Sequence, residues 1–156
     1  MKKFAIILAV LSVTIALGYA EDEDVDPSPV CICPQSPISP PLVCRTKYLM
    51  LVRITSSIND PLNNRRIYGF TLLRDISRGG VYSTTFNYIE TPLTQCRQDL
   101  VVGKNYLLGG AVDIPNQRLF INKCSYVQLW THNPGSLISE AALQEILEKC
   151  SEYPIP

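Results

Sequence analysis

The chain has 156 residues, fourteen basic and fourteen acidic side chains, one histidine and six cysteines. A balanced charge with no basic block excludes nucleic acid or an anionic membrane as the main partner. With a single histidine, His132 in the loop-like "WTHNPG", and no G-x-S-x-G, H-E-x-x-H or phosphate-cradling glycine loop, the composition speaks against an enzyme.

Residues 1–20 open with Lys2 and Lys3, run through an apolar stretch from Phe4 to Leu17 and close on Gly18-Tyr19-Ala20. This pattern predicts a secretory signal peptide cut after Ala20, and hence a secreted, extracellular protein. The apolar run of about fourteen residues falls short of the roughly twenty that cross a bilayer, so no membrane insertion is expected. The remaining residues suffice for one domain that buries roughly two-thirds of its unfolded surface. Residues 21–30, "EDEDVDPSPV", hold five of the fourteen acids and two prolines, and read as a disordered acidic extension. Asp22, Asp24 and Asp26 alternate there, but without the glycine and distal glutamate of a calcium loop. The domain proper is expected over 31–150, with 151–156 as a tail.

All six cysteines follow residue 30, and in an oxidising compartment they predict three disulfides with none left free. In extended chain Cys31 and Cys33 point to opposite faces and should reach different partners. Bridging either to Cys96, Cys124 or Cys150 closes a loop of 60 or more residues, worth about 4 kcal/mol in the chain-entropy model. The N-terminal segment is thereby bolted to the domain body. A zinc site built on Cys31, Cys33 and a third cysteine fits poorly with that compartment and with no histidine nearby. From Pro34 to Pro41 four prolines make a stiff, polyproline-like connector.

A β pattern follows. "KYLMLVRIT", Lys47 to Thr55, alternates Tyr48, Met50, Val52 and Ile54 against Leu49, Leu51 and Arg53. "SSINDPLNNRR" reads as a polar, turn-rich loop. "IYGFTLLRDI", Ile67 to Ile76, is a second strand whose Gly69 suggests a bulge. Arg78-Gly79-Gly80 turns the chain into a third strand, Val81 to Glu90, rich in β-branched and aromatic residues. Asn105 to Asp113, with Gly109-Gly110, is a fourth, and "RLFIN", Arg118 to Asn122, a fifth. Five strands with internal glycines predict a small all-β, five-stranded OB-like barrel. From Ser139 as N-cap, Leu143, Ile146, Leu147 and Cys150 fall at helical spacing, which predicts one amphipathic C-terminal helix with Cys150 on its buried face.

The stretch "CICPQSPISPPLVC" resembles the start of mature tissue inhibitors of metalloproteinases, in which Cys-Thr-Cys is followed by a proline-rich connector and a third cysteine. "LTQCRQDLVVGKNYLLGGAV" is similar to that family's cysteine, loop and following strand. "LFINKCSYVQLW" resembles its strand, cysteine and tryptophan, and the last helix ends on a cysteine as theirs does. The likeness runs from Cys31 to Cys150 and covers a single netrin-like domain, without a second six-cysteine domain. It implies the disulfides Cys31–Cys96, Cys33–Cys124 and Cys44–Cys150. It further implies a metalloproteinase inhibitor whose Cys31 chelates the catalytic zinc of the target through its α-amino nitrogen and carbonyl oxygen. Ile32 would enter the apolar S1′ pocket, Cys33 and Pro34 would continue the wedge, and Leu93, Thr94 and Gln95 would make the neighbouring contact. On this reading the protein is a monomer with no cofactor or metal of its own, and its partners are secreted or membrane-bound zinc metalloproteinases. Two features differ from the family pattern: Ile32 stands where threonine is usual, and ten residues precede Cys31. If those ten are retained, the resemblance implies instead a non-inhibitory netrin-like module that binds a protein or matrix ligand.

Overall fold

The computed structural model describes residues 31–33, 41–78, 86–116 and 118–153. The expected signal peptide and acidic extension, Pro34 and most of the proline connector, the Gly79-Gly80 turn, 81–85 of the third expected strand and the last three residues lie outside these.

Six strands and one α-helix make up the described domain: β1 (Tyr48–Asp60), β2 (Arg65–Asp75), β3 (Tyr88–Pro92), β4 (Asn105–Asp113), β5 (Arg118–Phe120), β6 (Tyr126–Leu129) and α1 (Leu137–Cys150). The mostly-strand architecture with one C-terminal helix agrees with the sequence reading; the number of strands does not. Antiparallel pairings join β1 to β2, β2 to β3, β5 to β4 and β4 back to β1, and a parallel pairing joins β3 to β5. Five strands therefore complete a ring of pairings. The sixth strand, β6, lies outside the ring along Tyr106–Gly109 of β4. Its four residues are half-exposed or exposed, and so carry no alternation that sequence could reveal.

The alternation along β1 is real and both of its faces are used. Tyr48, Met50, Val52 and Ile54 enter one core with Tyr68, Ile89, Leu108 and Leu119. Leu49 and Leu51 point the other way, into a second core with Ile76, Leu107, Trp130 and Leu143 of α1. A strand buried on both faces reads as a continuous apolar run, as "YLMLV" does. Burial pushes the Tyr48 phenol far above its usual range, so it stays a hydrogen-bond donor, to the carbonyl oxygen of Phe120 at 3.3 Å.

Two local expectations are corrected. "SSINDPLNNRR" is not a loop: β1 continues to Asp60 and β2 begins at Arg65, so Ser56–Asp60 pair with 65–69 in a projecting hairpin. Polar residues disguise the ladder, which is held by backbone bonds and by side chains such as Arg66, whose Nε donates to Asn59 at 2.7 Å. Only Pro61–Asn63 turn, as a short 3-10 segment closed by Asn64 in the left-handed region at φ 50°. The N-cap of α1 is Ser136 rather than Ser139: the Ser136 hydroxyl accepts from the Ser139 N–H at 3.2 Å, while Ser139 is itself fully buried. The register slips between Ile54 and Ser56, opposite Phe70 and Gly69, so the irregularity expected near Gly69 is present, with its extra residue, Thr55, on β1.

Candidate functional site

The site is assembled from three chain segments that meet at one end of the ring. The first is Cys31–Ile32–Cys33. Its flanking residues are tied down separately, Cys31 to Cys96 and Cys33 to Cys124, with Cα separations of 5.1 and 5.2 Å. The two cysteines do reach different partners, as their opposite-facing thiols require. Between them the Ile32 side chain is 87% exposed.

The second segment, Leu93 to Cys96, follows β3. Leu93 N–H donates to the Asn64 carbonyl at 3.0 Å, and Asn64 Nδ2 donates to Thr94 Oγ1 at 3.2 Å, so the tip of the β1–β2 hairpin supports this loop. Arg97 N–H then donates back to the Thr94 carbonyl. Cys96 sits at φ 63°, a conformation that non-glycine residues rarely adopt and that surrounding contacts must hold. Here the disulfide to Cys31 and a 2.9 Å bond from Lys123 N–H to the Cys96 carbonyl hold it.

The third segment is the turn Asn122–Ser125. Asn122 Oδ1 accepts from Cys124 N–H at 2.8 Å, and Ser125 Oγ accepts from Asn122 N–H at 2.9 Å, which presents Cys124 to Cys33. Neither Asn122 nor Asn64 stood out in sequence. Asparagine's habit of bonding its own backbone neighbours is a general turn signal, and only the assembled fold shows what each turn carries.

The structure thus brings Cys31, Ile32 and Cys33 together with the loop that carries Leu93, Thr94 and Gln95; Pro34 lies outside the described residues. Thr94 and Gln95 are exposed and Leu93 is half-buried. The sulfurs of Cys31, Cys33 and Cys124 lie within 4.8 Å of one another, with Cys31 Sγ and Cys124 Sγ 3.6 Å apart. All three belong to two adjacent disulfides, whereas metal ligation by cysteine needs the thiolate, so this donor set does not fit a metal ion.

Beside these segments runs a groove of about 600 Å³. Its floor includes Gly109 and Gly110 of β4, and its walls carry Arg45, Lys47 and Lys123. Both glycines are demanded by close approach. A Cβ on Gly109 would come within 2.5 Å of Thr46 Cγ2, and one on Gly110 would run into the Phe120 carbonyl oxygen.

Away from this end, Glu90 of β3 is 2% exposed and its carboxylate meets Arg65 at 2.7 Å and Arg118 at 3.7 Å. This charged cluster, which sequence reading did not single out, ties β2, β3 and β5 together and satisfies a buried acid, as burial requires. His132 is exposed, makes an edge-to-face contact with Trp130 at 5.4 Å between ring centroids, and has no hydrogen-bonding partner among the described residues. The third disulfide, Cys44–Cys150, ties the 3-10 turn Leu42–Arg45 to the end of α1, far along the chain from the exposed segment. No helix among the described residues is long and apolar enough to cross a membrane. No protein-family model matches this sequence, and no curated protein is significantly similar to it.

Proposed function

We propose that the chain is a secreted, monomeric inhibitor of zinc metalloproteinases, similar in fold and action to the single netrin-like inhibitory domain of the tissue inhibitors. The ring of five strands would then be an OB-like barrel, and the protein would be neither an enzyme nor the owner of a metal. One observation carries the reading: Ile32 is 87% exposed on a three-residue segment clamped by a disulfide on either side. An apolar side chain held outward in this way is preorganised for a pocket. Docking it loses little conformational entropy, because the crosslinks have already removed it.

The chemistry at the partner follows from the position of Cys31. A catalytic zinc keeps an open coordination site. The α-amino group of a chain beginning at Cys31 has a pKa near 8, so a neutral fraction exists at pH 7 that metal binding recruits. Its nitrogen and the Cys31 carbonyl oxygen would occupy the zinc, Ile32 would fill the adjoining apolar pocket, and Cys33 and Pro34 would continue along the cleft. Leu93, Thr94 and Gln95, joined to the same wedge through Cys96, would flank it. The mechanism requires removal of residues 21–30, because an amide nitrogen at Cys31 has its lone pair delocalised into the carbonyl and is a poor ligand. The retained extension favours the second reading, a netrin-like module that binds a protein or matrix ligand without touching zinc.

A chain beginning at Cys31 is expected to inhibit a matrix metalloproteinase, and one carrying a single alanine before Cys31 to lose that inhibition; equal potency of the two overturns chelation. Ile32→Gly in the chain beginning at Cys31 is expected to weaken inhibition by about 1.5–3 kcal/mol, the value of an emptied apolar pocket. An unchanged inhibition constant would remove Ile32 from the pocket.

A further inference from the structure

The groove beside Cys31 is charged in one sense only. Arg45, Lys47 and Lys123 line it and no carboxylate does. Elsewhere on the surface cations are matched: Arg65, Arg66, Arg74, Arg97, Arg118 and Lys149 each form an ion pair. The three groove cations have no acidic partner among the described residues. Arg45 Nε in addition is buried and meets no acceptor among them. A buried guanidinium donor without a partner is costly and marks a place where an acceptor is wanted.

The sequence holds the complementary charge next door. From Cys31 onward twelve basic residues face nine acidic ones, and the missing acids, Glu21, Asp22, Glu23, Asp24 and Asp26, sit in the ten residues immediately before Cys31. Cys31 is itself a lining residue of the groove. A chain leaving its nitrogen therefore starts at the groove's rim. At about 3.3 Å per extended residue, Asp26 reaches about 16 Å from Cys31 and Glu21 about 33 Å. Tethering replaces a bimolecular encounter with an effective concentration in the millimolar range.

We infer that residues 21–30 dock in the cationic groove lined by Arg45, Lys47 and Lys123, so that this protein's own acidic segment covers the surface beside Ile32 until it is removed. The docking stands on charge and connectivity alone. Its consequence, that one cleavage before Cys31 frees both the amine and the groove, rests on the inhibitor reading.

Zero-length carbodiimide crosslinking of the chain beginning at Glu21, followed by peptide mapping, tests the docking without any protease. Crosslinks are expected to join residues 21–26 to Lys47 and Lys123 several-fold more often than to Lys104 and Lys149. They should disappear at about 1 M salt, where screening acts within about 3 Å. As a second readout, the amide NMR signals of residues 21–26 should move to random-coil positions in K47E/K123E, with the signals of the ring strands unchanged. Crosslinks spread evenly over the four lysines or absent, or signals that do not respond to the double substitution, would overturn the docking. Failure of the chain beginning at Cys31 to inhibit would overturn the inhibitor reading and leave the docking intact.

Discussion

At the scale of single residues, the chain spends glycine where backbones nearly touch. Gly110 of β4 faces the Phe120 carbonyl of β5 directly, and Tyr48 Oη lies 2.9 Å from where its Cβ would be. Neither neighbour yields cheaply, since one is strand backbone and the other a fully buried ring. Gly110→Ala is therefore expected to destabilise the domain by about 1–3 kcal/mol, the usual cost of overpacking, and to lower the melting temperature in calorimetry. An unchanged melting temperature would show that β4 and β5 separate freely there. The Gly109-Gly110 pair was visible in sequence, but not the reason for it, because Thr46 and Phe120 approach from opposite directions along the chain. Ile32 illustrates the converse: its identity says apolar, and only the two flanking disulfides make its exposure informative.

At the scale of elements, the β1–β2 hairpin is the clearest gain over sequence. Its tip is organised by Asp60, which accepts from Asn63 Nδ2 at 2.8 Å, from Asn63 N–H at 3.3 Å and from Arg65 Nε at 2.9 Å. These bonds, the Asn63 side chain first and Arg65 next, hold the Asp60 carboxyl below the usual carboxylate range. A depressed folded-state pKa stabilises the tip above the unfolded value and loses that contribution as the pH falls through the folded one. Amide protection at Asn63 and Asn64, measured by hydrogen exchange, is expected to drop below about pH 4, the unpaired aspartate value, and to be insensitive to pH in that range in Asp60→Asn. Because Asn64 also bonds Leu93 and Thr94, the same loss should reach the loop beside Ile32. A pH-independent tip in the parent protein would refute this arrangement.

At the scale of the whole molecule, three disulfides divide the labour. Two hold the exposed segment, and the third, Cys44–Cys150, spans 106 residues and joins the entry to β1 with the end of α1. Both of its cysteines are buried at 2% exposure, and α1 contributes Leu143 to the second core. C44S/C150S is expected to cost about 2–5 kcal/mol, read as a lower denaturant midpoint. The geometry of Ile32, pinned by the other two bridges, should survive in the folded fraction. A double variant as stable as the parent would mean that the apolar face of α1 suffices to dock it.

What sequence determined by itself is what periodicity and covalent chemistry encode. The alternation of "KYLMLVRIT", the helical spacing of Leu143, Ile146, Leu147 and Cys150, and the even number of cysteines are local patterns, and each reappears as β1, α1 and three closed bridges. What only the tertiary structure decided is everything that depends on residues distant in the chain. The polar hairpin is a strand pair because each half finds the other. β6 exists because β4 offers it an open edge, and Glu90 is an acid at the right place because β2 and β5 bring arginines to it. Three cations scattered in sequence become one groove beside Cys31 by the same route. Non-local pairing energy is carried by partners and not by composition, so it leaves no mark on any single stretch of the chain.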